Sequence, residues 1–288
     1  MRFALTSNLY KDPAFQTLQR VHDSLVRLGA DVMIDARHCQ EGLDFPCEMT
    51  ADFSSADMLI SMGGDGTFLN AVHSLRPYDV PLVGINLGSV GFLAQIDLQD
   101  LEKSLERLIS GDYTIEERML IDVYAEHADG ERFYEASALN EVLLSRGKSQ
   151  RVVPVRLFLD DTYIELIRCD GILLGTSTGS TGYAMAAGGP IIDPKMHVLE
   201  MTPVCPYSMQ NRTYVLHPDT RVRLELAPYP KTALLTADGR EEIRFLSGDR
   251  AYISQAARPI RLVRLQEQNF FQALPDKLRV RSELYQDL

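Results

Sequence analysis

Three stretches of the chain gather side chains that could do chemistry. The first is Met62-Gly63-Gly64-Asp65-Gly66-Thr67-Phe68-Leu69-Asn70. It follows an apolar run, residues 56–61, that reads as a buried strand, and it leads into residues 68–75, which read as a short helix. Strand, glycine turn and helix form a phosphate-binding layout. Gly63, Gly64 and Gly66 have no Cβ to hold a ligand off the backbone, and the turn offers N–H groups at the positive end of the helix. A carboxylate in that place, Asp65, is unfavourable beside phosphate unless a metal ion or a hydroxyl proton stands between them, so it reads as chemical. The structural alternative is a tight turn in which Asp65 caps the helix. Two commoner motifs fail on spacing: no Gly-Lys-Ser/Thr closes the loop as in a Walker A sequence, and Leu69 stands where G-x-G-x-x-G needs glycine.

The second stretch places Asn140 and Glu141 at the head of an apolar run ending at Leu144. Burying them is costly unless a partner such as a sugar diol or a purine edge satisfies them; an edge strand would instead leave both in water. Directly after comes Ser145–Arg151, with three cations and no acid, either a phosphate contact or a solvated loop. The third stretch runs from Arg168 to Pro190. Nine of the eleven residues from Gly175 to Met185 are Gly, Ser, Thr or Ala. Backbone and hydroxyl groups there could approach a nucleotide closely while Tyr183 offers a ring for stacking.

The elements that must position these residues follow from periodicity. Residues 2–7 read as a first strand, and a helix follows in which Asp12 caps, Pro13 suits the first turn, apolar residues recur from Phe15 to Leu28, and Gly29 stops it. Residues 31–35 and 80–86 read as further strands, 36–55 as irregular, and 98–109 as a helix ended by Gly111. A second glycine loop, Leu87–Phe92, follows the strand at 80–86. Two glycine loops at strand C-termini suit the ligand-binding edge of an open parallel sheet. Near Tyr113 the period changes to alternation, and short runs at 151–159, 162–168, 171–175, 220–226, 232–236, 242–246, 250–254 and 260–265 read as strands of a layered β domain. The tail from Gln266 reads as a helix.

With 288 residues and 45% hydrophobic content, the expectation is two domains with ample core. A net charge of −11 argues against a nucleic-acid or anionic-membrane partner. No apolar run approaches a membrane span, and the N-terminal residues turn polar too early for a signal peptide, so a cytoplasmic location is expected. The four cysteines lack C-x-x-C pairing and read as reduced thiols. The six histidines lack metal-ligand spacing, and no G-x-S-x-G elbow occurs.

Taken in order, Gly63-Gly64-Asp65-Gly66-Thr67, Asn140-Glu141 and Asp170–Gly189 resemble the three motifs of the NAD kinase family. The first motif is shared with lipid kinases and 6-phosphofructokinases; the third is particular to NAD kinases. The resemblance implies an α/β Rossmann-like domain with a parallel sheet (1–112), a β-sandwich domain (113–265), a terminal helix (266–288) packing back on the first, and a site between the domains. It also implies a homodimer or homotetramer with sites near the subunit interface. The implied reaction moves the γ-phosphate of ATP, accompanied by Mg²⁺ or Mn²⁺, to the 2′-hydroxyl of the adenosine ribose of NAD. In that scheme Asp65 is the base, and Gly63, Gly64, Gly66 and Thr67 face the phosphates. NAD contacts fall on Asp65, Gly66, Asn140, Glu141, Arg151, Arg168, Asp170, Thr181, Gly182, Tyr183, Ala184, Met185, Ala186 and Arg240; no residue is assigned to a metal. The chain departs from the family pattern at Gly175, Ser177 and Gly182, and at Ser89, Tyr207 and Arg240. A lipid kinase on the same glycine turn and a non-catalytic NAD(P) sensor are the alternative readings.

Overall fold

The computed structural model describes residues 1–8, 10–12, 15–41, 47–75, 79–88, 91–266, 270–272, 274–275 and 278–279. The chain divides into two compact units, Met1–Glu117 with Ile260–Leu288, and Arg118–Pro259.

In the first unit the strands are β1 (Arg2–Ser7), β2 (Asp31–Asp35), β3 (Glu48–Thr50), β4 (Met58–Gly63), β5 (Leu82–Asn86), the short β6 (Ile96–Asp97) and β7 (Thr114–Arg118). They pair in parallel as β3-β2-β1-β4-β5. Helices α1 (Gln16–Arg27) and α3 (Leu101–Ser110) bury Leu18, Val21, Leu25, Leu101, Leu105 and Leu108 in one core with Phe3, Leu5, Ile60 and Ile85 of the sheet. The N-cap position of α1 is Phe15, which makes no side-chain cap bond, and not Asp12 as expected; from further back in the chain the Asp12 carboxylate still accepts from the backbone N–H groups of Thr17 (2.8 Å) and Leu18 (3.0 Å) in the first turn. Pro13 lies outside the described residues. The stretch expected to be irregular, 36–55, contains a 3-10 turn at Ala36–Glu41 as well as β3. Helix α2 is Asp65–Ser74 and begins three residues earlier than the apolar pattern suggests, because Asp-Gly-Thr, polar and small, forms its first turn.

The second unit contains β8 (Ile121–Glu126), β9 (Arg132–Ala138), β10 (Glu141–Ser145), β11 (Val153–Leu159), β12 (Thr162–Cys169), β13 (Gly171–Thr176), the one-turn α4 (Tyr183–Ala186), β14 (Leu199–Val204), β15 (Tyr214–Leu216), β16 (Val222–Leu226), β17 (Ala233–Ala237), β18 (Ile243–Phe245) and β19 (Arg250–Gln255). They form two antiparallel sheets, β15-β14-β13-β10-β17-β18 and β12-β11-β16-β19-β8-β9. Alternate residues of both, among them Val142, Leu144, Leu174 and Leu235 from one and Val123, Val155, Leu224 and Ile253 from the other, share a single core.

One strand expected in the sandwich belongs elsewhere. The last strand, β20 (Ile260–Arg264), runs parallel to β5 with Leu262 opposite Leu82, and β7 lies beyond it. A short apolar run buried on both faces has the same appearance in a sandwich and in a parallel sheet, and periodicity cannot separate the two. Of the expected C-terminal helix, residues 270–272, 274–275 and 278–279 are helical; the rest of that tail beyond Gln266 lies outside the described residues. Among the described residues no helix is long and apolar enough to cross a membrane.

Candidate active site

The first-unit cluster stands where β1, β4 and β5, neighbours in the sheet, reach their C-terminal ends. Gly64 is the N-cap of α2 and makes no side-chain cap bond; its carbonyl accepts from Phe68 N–H at 3.0 Å. Asp65 does not cap the helix it opens. Its carboxylate reaches the second glycine loop, Oδ2 accepting from Phe92 N–H and Oδ1 from Leu93 N–H, each at 3.0 Å. Gly91 lets it do so, since a Cβ there would lie 2.4 Å from Asp65 Oδ1. The loop after β1 is tied in as well: Asn8 N–H donates to Met62 O (3.0 Å), and Asn8 Nδ2 donates to Thr67 Oγ1 (2.9 Å). A Cβ on Gly66 would meet nothing within 4 Å, so that face of the turn is open to a ligand.

Gly63 is required for a packing reason. A Cβ there would lie 2.3 Å from Thr67 Oγ1 and 2.5 Å from Thr67 Cβ, and Thr67 is held in the helix. Gly63→Ala therefore pushes α2 off β4 and is expected to cost about 1–3 kcal/mol of stability by overpacking. Urea denaturation checks this, with Gly66→Ala as the roomy control; equal midpoints for the two variants would contradict it.

In the second unit Glu141 opens β10 and Asn140 directly precedes it; β10 is an interior strand between β13 and β17, so the edge-strand alternative is excluded. Asp238 holds them there. Its carboxylate accepts from the N–H groups of Leu139 (2.8 Å), Asn140 (2.8 Å) and Glu141 (3.0 Å). A Cβ on Gly182, at the head of α4, would lie 3.4 Å from Glu141 Oε2 and 3.9 Å from Asn140 Nδ2, so both side chains face that backbone. Glu141 Oε2 is buried and, among the described residues, has no hydrogen-bond partner. Burial first, then the nearby charges of Asp238 and Glu200, push its carboxyl up to about 7. A buried acceptor left open is what a ligand hydroxyl or amino group would fill.

Models of two families match the chain: the ATP-NAD kinase N-terminal domain over residues 7–113 and the ATP-NAD kinase C-terminal domain over residues 139–265. A protein named NAD kinase from Natranaerobius thermophilus is 36% identical over 280 residues, covering 95% of this chain and 96% of the relative. The chain belongs to the NAD kinase family. Among solved structures, an NAD kinase from Archaeoglobus fulgidus in complex with ATP matches with a TM-score of 0.76 at 26% identity, covering 97% of this chain and 99% of that one. Yeast NADH kinase complexed with NADH has the same fold, with a TM-score of 0.87 at 22% identity, covering 96% of this chain and 87% of that one.

Against the family's third motif, the hydroxyl run proves to be largely internal. Ser177 Oγ donates to Met196 O; Ser180 Oγ donates to Ser177 O (2.8 Å) and accepts from Ile192 N–H (3.1 Å); Thr176 Oγ1 donates to Leu139 O. These three buried hydroxyls fold the loop and are not presented to a ligand. Gly179 packs so closely on Asn140 that a Cβ would fall 2.2 Å from its carbonyl oxygen. Of the remaining expected residues, Thr181 and Ala184 are buried, Met185 is half-buried, and Tyr183 and Ala186 are exposed. Asp170 forms an ion pair with Arg146 at 2.8 Å, which engages one of the three loop cations. Arg151, Arg168 and Arg240 are exposed and, among the described residues, form no hydrogen bond to Asn140 or Glu141. Ser89 lies outside the described residues. Sequence reasoning missed Asn8 and Asp238, whose signals were a polar loop after the first strand and an Asp-Gly turn before Arg240.

Glu200, on β14, is 0% exposed. Thr202 Oγ1 donates to its Oε1 at 2.8 Å, while Oε2 has no hydrogen-bond partner among the described residues. Burial pushes its carboxyl up to about 7 against the opposing effect of the Thr202 bond. For Glu141 and Glu200 alike the folded value lies above the ordinary 4.5, so between there and about 7 the folded chain holds protons that the unfolded chain has lost. Stability therefore falls as pH rises through that window. Glu200→Gln removes this residue's share: relative to wild type it should gain on the order of 1–3 kcal/mol between pH 5 and pH 8. Urea denaturation at those two pH values measures the change, and a difference independent of pH would refute it.

Proposed function

We propose that this chain phosphorylates NAD with ATP as donor, Asp65 acting as the base toward the 2′-hydroxyl of the adenosine ribose. The observation that carries the reaction is similarity to NAD kinases over 95% of the chain. The base assignment is supported by Asp65's anchoring: its carboxylate is fixed by Phe92 and Leu93 N–H and is not engaged in capping α2. A ribose hydroxyl is a weak nucleophile, and a positioned carboxylate that takes up its proton as the phosphorus–oxygen bond forms lowers the barrier. Gly63, Gly64, Gly66 and Thr67 form the phosphate-facing turn, whose open side at Gly66 admits the ligand.

Asn140 and Glu141 hold the adenosine half, the open Glu141 Oε2 accepting from it. Arg151, Arg168, Asp170, Arg240 and the segment from Thr181 to Ala186 supply further dinucleotide contacts. The donor enters as its Mg²⁺ or Mn²⁺ complex, the ion neutralising phosphate charge. Among the described residues no group of three His, Cys, Asp or Glu side chains is placed to bind an ion by itself. Assembly as a homodimer or homotetramer is supported by exposed apolar residues in the second unit, Tyr207 at 81% and Met209 at 89% exposure. A cytoplasmic location suits the free thiols among the described residues, Cys47, Cys169 and Cys205.

The test is to mix the protein with MgATP and NAD and follow NADPH through a coupled NADP-dependent dehydrogenase. Steady NADPH formation is expected. No signal with NAD or NADH, alongside a measurable NAD affinity, would overturn the catalytic reading in favour of a binding protein.

A further inference from the structure

The loop after β1 carries a cation that neither the glycine turn nor the dinucleotide contacts account for. Lys11 sits one residue before Asp12, and its backbone N–H donates to Asn8 O at 2.9 Å. That turn fixes the direction in which its side chain leaves, and Asn8 in turn is bonded to Met62 and Thr67 of the glycine turn. The ammonium lies over two glycines at once. A Cβ on Gly64 would be 2.8 Å from Lys11 Nζ, and one on Gly88 would be 3.2 Å from it. Gly64 follows β4 and Gly88 follows β5, so a side chain from the loop after β1 spans the ends of three adjacent strands.

The charges around this ammonium are unbalanced. Among the described residues no carboxylate pairs with Lys11, in a chain of net charge −11 that supplies acids in excess. Two acids of the same loops are committed elsewhere: Asp12 to Ser7 Oγ, Thr17 N–H and Leu18 N–H, and Asp65 to Phe92 and Leu93 N–H. An ammonium held instead beside the first N–H groups of α2 meets charge of its own sign, which is unfavourable until an anion lies between them. The missing Cβ atoms at Gly64 and Gly88 leave room for the ammonium.

We propose that Lys11 is a catalytic residue contacting the transferred end of the nucleotide triphosphate, its ammonium donating to β- and γ-phosphate oxygens over the Gly64 turn. This rests on the reading of that turn as the donor's phosphate site. A compact, strongly hydrated point charge on a flexible stem can follow the γ-phosphoryl group as it moves, neutralising charge that builds during transfer. Gly64 and Gly88 are small so that this lysine can lie across them.

Initial rates with varied MgATP and varied NAD test it on wild type, Lys11→Met and Lys11→Arg. The methionine variant keeps the stem's length and, being altered at an exposed position, should fold with wild-type thermal stability. Its kcat/KM for MgATP should fall about 10- to 10²-fold, with the KM for NAD within about twofold, and arginine should restore part of the loss. A Lys11→Met enzyme within about twofold of wild type in kcat/KM for MgATP, or one in which the KM for NAD rises as much as that for MgATP, overturns the assignment. Wild type that makes no NADP from MgATP and NAD would instead sink the donor-site reading beneath it.

Discussion

Replacing Asp65 with Asn lowers kcat by about 10²- to 10⁴-fold while leaving the affinity for NAD nearly unchanged. The amide cannot take up a proton, and it also meets the second glycine loop badly. Both carboxylate oxygens now accept backbone N–H groups, from Phe92 and Leu93. An asparagine presents one carbonyl oxygen and one NH₂, so one of those N–H groups faces another donor. The variant therefore loses stability as well, by roughly 1–3 kcal/mol. Asp65→Glu separates charge from position. It keeps the carboxylate but lengthens the side chain by a methylene, and Gly91 already packs so near that even a Cβ would lie 2.4 Å from Oδ1. Glutamate should thus lose most of the turnover too, because the proton acceptor is displaced. Single-turnover rates with saturating MgATP and NAD, together with calorimetric NAD titration, check both variants. An Asp65→Asn enzyme with unchanged kcat would exclude Asp65 as the base.

The parts of this site that could be read from the sequence are those where chemistry and local geometry coincide. Gly63-Gly64-Asp65-Gly66 announces itself because three glycines around one acid serve little purpose in a helix start. Asn140 and Glu141 stand out because polar residues heading an apolar strand need partners, and the unpaired Glu141 Oε2 inside an interior strand is that need made visible. Where the reading failed, the deciding interaction was distant in sequence. The hydroxyls of Thr176, Ser177 and Ser180 look like ligand contacts in a linear pattern, yet carbonyls of Leu139, Met196 and Ser177 use them. β20 looks like one more sandwich strand, and only its parallel pairing with β5, some 180 residues earlier, shows otherwise (Leu262 opposite Leu82). Lys11 is one lysine in a polar loop until β1, β4 and β5 are laid side by side.

Asp238 is the clearest residue of that kind, and replacing it with Ala should cost about 3–5 kcal/mol of stability. Three consecutive backbone N–H groups, those of Leu139, Asn140 and Glu141, converge on its one carboxylate, and Leu139 is fully buried. Removing the acceptor strands all three donors at the head of β10. The carbonyl of Glu141 returns the contact by accepting from Asp238 N–H at 2.9 Å, so the turn and the strand start form one closed unit. Asp238 also adopts a positive φ of 50°, and Gly239 beside it one of 65°. Asparagine tolerates that left-handed conformation and keeps one acceptor, so Asp238→Asn should retain about half of the lost stability, whereas alanine pays backbone strain in addition. Both variants remove a negative charge that helps hold the Glu141 carboxyl high, so Glu141 should titrate lower in each. Because the head of β10 sets the aim of Asn140 and Glu141, Asp238→Ala should weaken NAD binding by about tenfold or more. Urea denaturation measures the first effect and calorimetric titration of NAD the second. If alanine lowered stability by the expected amount while NAD affinity stayed at the wild-type value, Asp238 would be a turn residue alone, and the aim of Asn140 and Glu141 would have to be set by the backbone of Gly179, which presses on Asn140 from the other side.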